Sequence, residues 1–483
     1  MGGHDFVISN TTHAAYMETP PSPACRAGMQ VLLRRIQVSK PEACESGTSS
    51  ALVADAPVVS EKIQSSSSVR LYRPARTEQD TGPPPNGGFR AWLHVACSFL
   101  LFFNSWGILS IFATFQTHYE SGDFFTASSS NISWIGSIQC FMATVTGFWA
   151  GPLYDLGHLR QLLLLGSLCV ILGHVALSYC NTYAKVLLAE GFCIGIGSGC
   201  LFVCAVSIIP GYFSTKIGLA TGIASAGSAI GAVIYSIVAS KLLDRIGFDW
   251  TVRVIGLIAL ATLALPVFAM KIRVASSERQ TFIDRSAFTD VPYMMFVLGT
   301  LFAASSSSVM NTYISFFTER SRLASHDMSF HIVAILNAAS LLGRIVLNVA
   351  SDHLGPLNVI APCSVVTGIV SLCVMAVHSL AGVIVVTIWL GFFSGVFVAM
   401  PPVGFASLAQ DKGNVGTRIG MGYSMAGLGY LAGAPVAGAI LRSSSALDWH
   451  RLWLYCGLVS ISAGVIYFAV RVFRLGCKIC VKG

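Results

Sequence analysis

Charge is what this sequence has least of. Only 11% of its 483 residues are Asp, Glu, Lys or Arg, 54% are hydrophobic, and the mean hydropathy is +0.69. That balance excludes an ordinary water-soluble domain and points to apolar runs that cross a bilayer. No GxxxxGK[ST] loop is present, which argues against a nucleotide-driven pump. No HExxH, no Gly-x-Ser-x-Gly elbow and no cluster of His, Asp or Glu at one interface occurs, so the chain is read as no enzyme, with neither cofactor nor metal. The net charge of +8 comes from basic residues scattered over loop ends without a stripe, which excludes nucleic acid as a partner. Paired cysteine spacing is missing too. Cys140, Cys169, Cys193, Cys200, Cys204, Cys363 and Cys373 fall inside apolar runs, as small buried hydrophobes do. The exception is Cys477-Lys-Ile-Cys480 in the basic tail, read either as two unmodified thiols or as a palmitoylation site, since a lone CxxC cannot hold zinc.

Residues 1–88 are a different material. They are rich in Ser, Pro, Thr and Ala, and their eight Lys/Arg balance eight Asp/Glu. Such a segment buries too little apolar surface to offset ordering entropy and is expected to be disordered. No apolar h-region precedes a small-residue cleavage site, so the first span is expected to insert as an internal signal. From Phe89 apolar spans succeed one another near 89–113, 132–154, 161–180, 184–209, 217–240, 251–270, 291–316, 329–350, 358–378, 380–402, 417–441 and 450–472.

One stretch comes back. Thr215 to Ala232, TKIGLATGIASAGSAIGA, is echoed by Thr417 to Ala434, TRIGMGYSMAGLGYLAGA. Each copy opens on a basic residue, Lys216 or Arg418, and carries a small-residue pair, Gly227 with Gly231 or Gly429 with Gly433. In lipid, apolar helices gain little by hiding from one another, and small residues that admit close backbone approach hold them together. Gly151-Pro-Leu-Tyr-Asp155 and Asn348-Val-Ala-Ser-Asp352 repeat at nearly the same offset. Two homologous halves follow, an organisation common among secondary transporters. The expected architecture is all-α, about twelve transmembrane helices in two pseudo-symmetric six-helix bundles. A cytoplasmic tail (1–88), a first bundle (89–270), a linker (271–289), a second bundle (290–472) and a basic tail (473–483) make up the chain.

Lys and Arg number thirteen on the side of the termini and eight on the other, so both termini are expected in the cytoplasm. A plasma-membrane location is favoured, with an internal membrane such as the vacuole as the alternative. Asn131-Ile-Ser133 would then face outside but close to the membrane, a poor glycosylation site.

Against these residues the chain resembles the major facilitator superfamily, and within it the monocarboxylate-porter branch in its fungal form. The superfamily loop G-x-L-x-D-(R/K)-x-G-(R/K) is matched by Gly151, Leu153 and Asp155, with Leu156 for the basic residue, Gly157 one position early and Arg160 nearby. The branch's first signature resembles Asn86-Gly-Gly-Phe-Arg-Ala-Trp92, with Asn for the acid. Its second resembles Tyr212-Phe213, Lys216 and Ala220-Thr-Gly222 running to Gly227. The resemblance spans about residues 86–475. It implies a carrier of monocarboxylate-type organic acids, or of the vitamins and secreted metabolites handled by fungal members.

Arg344 is the sharpest candidate. A cation inside a span is costly and usually faces a cavity or a partner, and a guanidinium can clamp a carboxylate through two parallel hydrogen bonds. Snorkelling to the interface or bracing the gate is the other reading. In the family a proton-coupling carboxylate precedes this arginine by a turn; Ser340 stands there instead, and Gly107 stands near the position of a helix-1 lysine. Glu190, opening the fourth span, is either a solvated helix-end charge or a desolvated proton carrier. Asn104, Asn311 and Asn337 lie in helices 1, 7 and 8, which the resemblance places around the central cavity. There each amide meets either the solute or a neighbouring helix. Pro401 and Pro402 are expected to interrupt helix 10, and Pro435 to bend helix 11. Asp155 and Asp352 are read as latches that grip helix ends in one state and release in the other, with Arg160, Lys216 and Arg418 as gate partners.

The combined expectation is a monomeric secondary transporter. It moves a small organic acid or related metabolite by alternating access, with proton coupling and metabolite efflux both open. A transporter-fold nutrient sensor signalling through the N-terminal tail is the alternative.

Overall fold

The computed structural model describes residues 84–120, 127, 129–273, 283–323, 326–409, 414–441 and 448–476. The tail before residue 84 and the Cys477/Cys480 pair lie outside them. Ten helices among the described residues are long and apolar enough to cross a membrane. One of them, Ile217–Ala269, crosses twice, because Gly247 takes a left-handed turn (φ 78°, ψ 172°) open to glycine and strained for other residues. A further crossing, Ser129–Val145 continued by Gly147–Asp155, is divided at Thr146, whose hydroxyl turns back to the carbonyl of Met142. That makes twelve.

We number them in order. The helix α1 runs from Phe89–Asn104 through Trp106–Leu109 to Phe112–Glu120, and α2 from Ser129 to Asp155. Leu159–Leu177 is α3, and α4 runs from Tyr183 to Tyr212 with a π-helical stretch at Leu187–Ile194. The long helix gives α5 before Gly247 and α6 after it. A short linker helix, Arg285–Thr289, precedes α7 (Val291–Arg320), α8 (His326–Leu354) and α9 (Pro356–Cys373). Leu380–Ser394 and Val396–Leu408 form α10, Val415–Leu441 is α11 and Trp449–Leu475 is α12.

Each packing pair in the first six helices has a counterpart six helices later. α1 packs on α5 as α7 does on α11, α3 on α6 as α9 on α12, and α2 on α4 as α8 on α10. The repeated glycines make the first of these pairs. Gly227 and Gly231 lie against the backbone of Phe99 and Phe103 in α1, and Gly429 and Gly433 against Leu301 and Ser305 in α7. The halves meet through α2 with α11 and α5 with α8, which exchange places under the same symmetry. Among the described residues all ten cysteines are free thiols.

The backbone stays helical at Pro401 and Pro402, and α10 is divided instead at Gly395, whose own φ and ψ (−53°, −30°) are helical. Gly395 lies on α8, where an added Cβ would stand 2.6 Å from the Ser340 carbonyl oxygen. Pro435 sits within the continuous α11.

Candidate functional site

On the side where α1 starts and α12 ends, two carboxylates join the halves. Asp155, at the end of α2, accepts from the amides of Gly416 (3.0 Å) and Thr417 (2.6 Å) and from the Thr417 hydroxyl (2.7 Å). Asp352, near the end of α8, accepts from the amides of Gly218 (2.7 Å) and Leu219 (2.9 Å). Each therefore caps the first turn of a helix in the opposite half, where unpaired N–H groups and the helix dipole favour an anion. Above the latches the seams continue. Gly147 and Gly151 touch the backbone of Gly420 and Gly416, and Gly218 and Gly222 touch that of Asn348 and Arg344. Ser424 donates to the carbonyls of Thr144 and Val145, while Gly427 meets the Thr144 side chain. From Val415 to Gly427 is about 18 Å along the helix, so this seam closes roughly half of a ~30 Å hydrocarbon core.

Where the seams end stands Arg344. It is 6% exposed, and its Nη1 donates to the Ser225 carbonyl (2.9 Å) and to the Ser228 hydroxyl, both on α5. Its Nε is buried without a hydrogen-bond partner among the described residues. A guanidinium keeps its charge in any protein setting, and no carboxylate pairs with it among the described ion pairs. Tyr430 of α11 lies within electrostatic reach of the guanidinium and packs on Trp106 of α1, ring centroids 5.2 Å apart. Trp106 in turn meets Phe202 of α4 edge-on. A buried cation thus sits between the halves, bonded to a serine hydroxyl, and Tyr430 and Trp106 form a ring pair joining α11 to α1. This arrangement suits an anionic group attached to an apolar body. Sequence reasoning passed over Tyr430 and Ser228, although they occupy equivalent positions in the two echoes and Tyr430 is a large ring in a run of small residues.

The other candidates scatter. Asn104, expected at the cavity, is held inside the first bundle. Its amide donates to Leu100 (2.8 Å) and Thr262 (2.8 Å) and accepts from Tyr235 (2.7 Å), so its hydrogen bonds are spent within that bundle. Glu190 is 2% exposed, so the solvated reading fails; Tyr119 donates to it (2.7 Å) within the first bundle, away from the seam. Asn311 is exposed and Asn337 half-buried, each amide donating to the carbonyl one turn back (2.9 and 3.0 Å). Ser305 bonds Tyr455 (3.0 Å) and packs under Gly433.

Of the expected gate cations, Arg160 and Lys216 are exposed and make no contact with Asp155 or Asp352 among the described bonds. Arg418 is 2% exposed and bound within its own half and the linker. It pairs with Asp284 (2.9 Å) and Asp290 (3.0 Å), donates to Ser286 and to the Leu408 carbonyl, and lies over the Tyr293 ring. Burial would push the Asp284 carboxyl up, but hydrogen bonds from Ser286 and Arg418 and the guanidinium charge outweigh it and hold it below its ordinary value. Gly107 lies with an added Cβ 2.9 Å from the Gly231 Cα, so no lysine fits there.

The two signature stretches touch. The Asn86 side-chain oxygen accepts from the amides of Ser214 (2.6 Å) and Thr215 (2.9 Å), just before α5, and Trp92 packs edge-on against Phe213. An acid at residue 86 would accept the same two bonds.

Comparison with known proteins agrees with this geometry. Residues 95–345 and 296–476 match the family model described as Major Facilitator Superfamily. The MFS-type transporter dbaD of Emericella nidulans is 49% identical over 415 residues, covering 83% of this chain and 94% of that protein. The aspyridones efflux protein apdF of the same organism is 29% identical, covering 84% and 83%. Among solved structures, the transporter FucP in its outward conformation superposes with a TM-score of 0.62 at 16% identity, over 78% of this chain and 98% of that one.

Proposed function

The chain belongs to the major facilitator superfamily and moves solute across a membrane; from that premise we propose that its solute is a small organic acid or a related amphipathic metabolite, bound at Arg344. The observation that carries this reading is a permanently charged guanidinium, buried between the halves, with a donor left unpaired. Asp155 and Asp352 act as latches, made when the side of the termini is shut and broken when it opens. The halves 89–270 and 290–472 then rock as bodies about Arg344, with both termini cytoplasmic and the protein working as a monomer in the plasma membrane. Export is the favoured direction, and a relative named as an efflux protein supports it.

Proton coupling through a residue beside the arginine is not part of this proposal, because Ser340 occupies the position one turn away. Flux follows the solute gradient. Uptake and efflux of a labelled organic-acid panel in proteoliposomes tests both points. Arg344→Gln is expected to reduce flux of the accepted acid at least tenfold, and a protonophore to change it less than twofold. Unchanged flux in Arg344→Gln would remove the site, and a tenfold protonophore effect would assign proton coupling.

A further inference from the structure

Beyond the point where Arg344 bridges them, α5 and α8 part and leave a cleft of about 400 Å³. Its walls are matched. Ala229, Ile230, Val233 and Ile234 face Asn337, Ala338, Leu341 and Leu342, the same one-four-five spacing on two helices running in opposite directions. Seven of the eight are apolar, and Ile230, Val233, Ile234 and Leu342 are between 37% and 57% exposed. Just beyond this lining stand Ser228, next to Ala229, and Arg344, one turn below Leu341, bonded to each other. At the symmetry-related seam between α2 and α11, Gly427 meets the Thr144 side chain and Tyr430 packs on Trp106.

We propose that this cleft is a side entrance through which an amphipathic organic anion passes between the bilayer and Arg344. The occupant follows from the chemistry at the two ends. An apolar slot open on its outer side takes a hydrocarbon body, and the unpaired Nε of the buried guanidinium just beyond its foot takes a carboxylate. A phospholipid chain alone would use the walls and ignore the arginine. A small polar acid would use the arginine and ignore the walls. Asn337, the one polar wall residue, lies at the end of the slot away from Arg344, its amide donating to the Val333 carbonyl. The inference rests on Arg344 being the anion site and adds the route and the amphipathic class of solute.

The test uses the full chain in lipid nanodiscs with Leu342→Trp as a reporter at the exposed rim, read as fluorescence in excess of the eight native tryptophans. The probe is 11-bromoundecanoate, whose bromine quenches indole on contact. Saturable quenching is expected, with half-saturation shifted at least tenfold upward by Arg344→Gln. Val233→Phe, which narrows the slot without touching the arginine, is expected to slow the approach to saturation at least fivefold. Quenching that rises linearly and ignores Arg344→Gln would mean simple partition into lipid and overturn the inference. So would an unquenched reporter, or an unaltered rate in Val233→Phe. These outcomes are separable from failure of the site itself, which shows as unchanged flux of water-borne acids in Arg344→Gln.

Discussion

The two seams that join the halves are copies of one design, and they differ where it matters. Between α2 and α11 the contact is backbone on backbone: Gly147 and Gly151 lie against Gly420 and Gly416, and Asp155 closes the end with three hydrogen bonds. Between α5 and α8 the position equivalent to Gly147 is Arg344, and a side chain bridges the helices instead. The latch below it, Asp352, is half-buried and accepts two bonds. At this level one seam is glycine against glycine and the other carries a charge. The copies already differ one turn from the carboxylates, at Gly151 and Asn348, and a further turn along, at Gly147 and Arg344, one of them carries a guanidinium.

The sharpest way to break the comparison is at the residue that opens each echo. Arg418 is buried against Asp284 and Asp290, and removing one partner of a buried pair costs about 3–5 kcal/mol because the remaining charges are stranded. Lys216 is exposed with no described partner, and a surface substitution of that kind stays within about 0.5 kcal/mol. Thermal unfolding of Arg418→Ala should therefore show a large loss and Lys216→Ala almost none. Equal losses would mean that the Arg418 cluster is not what holds the start of α11.

The latches come next. A hydrogen bond to a charged group is worth about 1.5–3 kcal/mol, and Asp155 accepts three while buried, against two for the more solvated Asp352. Hydrogen exchange reads the donors directly. Asp155→Ala is expected to speed exchange at Gly416 and Thr417 by about 100-fold, whereas Asp352→Ala speeds Gly218 and Leu219 by about tenfold. The reverse order would assign the weaker hold to the glycine seam.

A smaller effect separates the halves by pH. The Asp284 carboxyl is held below its ordinary value near 3.8, so its folded form binds protons less readily than the unfolded chain. Its contribution is complete above that ordinary value and is lost as pH falls through the lower folded one. Acid titration of unfolding should therefore show a stability loss below about pH 4. Asp284→Asn is expected to remove this component, and a loss that persists in that variant would point to other carboxylates.

How much of this was legible depended on whether a residue's partner lies in the same stretch of chain. The echo revealed the duplication, the glycine pairs and both aspartates, because each is a local pattern repeated. Arg344 stood out because a charge within an apolar span is conspicuous alone. Of the two partners open to Asn104, the neighbouring helix is the one found, and no local pattern chooses it, because Tyr235 and Thr262 are 131 and 158 residues away. The solvated reading of Glu190 failed for the same reason, since Tyr119, which bonds it, is 71 residues away. The division of α10 falls at Gly395 and not at Pro401, and the packing of Gly395 on α8 involves residues some fifty positions away in the chain. The cleft between α5 and α8 is a property of two helices diverging, and no single stretch of sequence carries it.

The smallest prediction bears on why the start of α5 is held more loosely than that of α11. Asn86 caps the residues before α5 with a neutral oxygen, while its amide nitrogen donates to Pro84 (3.2 Å) and Ser214 (3.0 Å). Asn86→Asp would place a full negative charge at a helix start, which contributes about 0.3–1 kcal/mol at an exposed site. It would also delete two donor bonds, one exposed and one half-buried, and set an anion beside the Pro84 carbonyl. Asn86 has a left-handed backbone (φ 53°), which Asp tolerates about as well as Asn, so no strain is added. The charge acts on two amides at once and the lost bonds are shared with water, so the balance should favour the acid slightly. Exchange at Ser214 and Thr215 is then expected to slow two- to fivefold, drawing the start of α5 toward the tightness of that of α11. Faster exchange would show that the nitrogen of Asn86, rather than its oxygen, is the hold on α5.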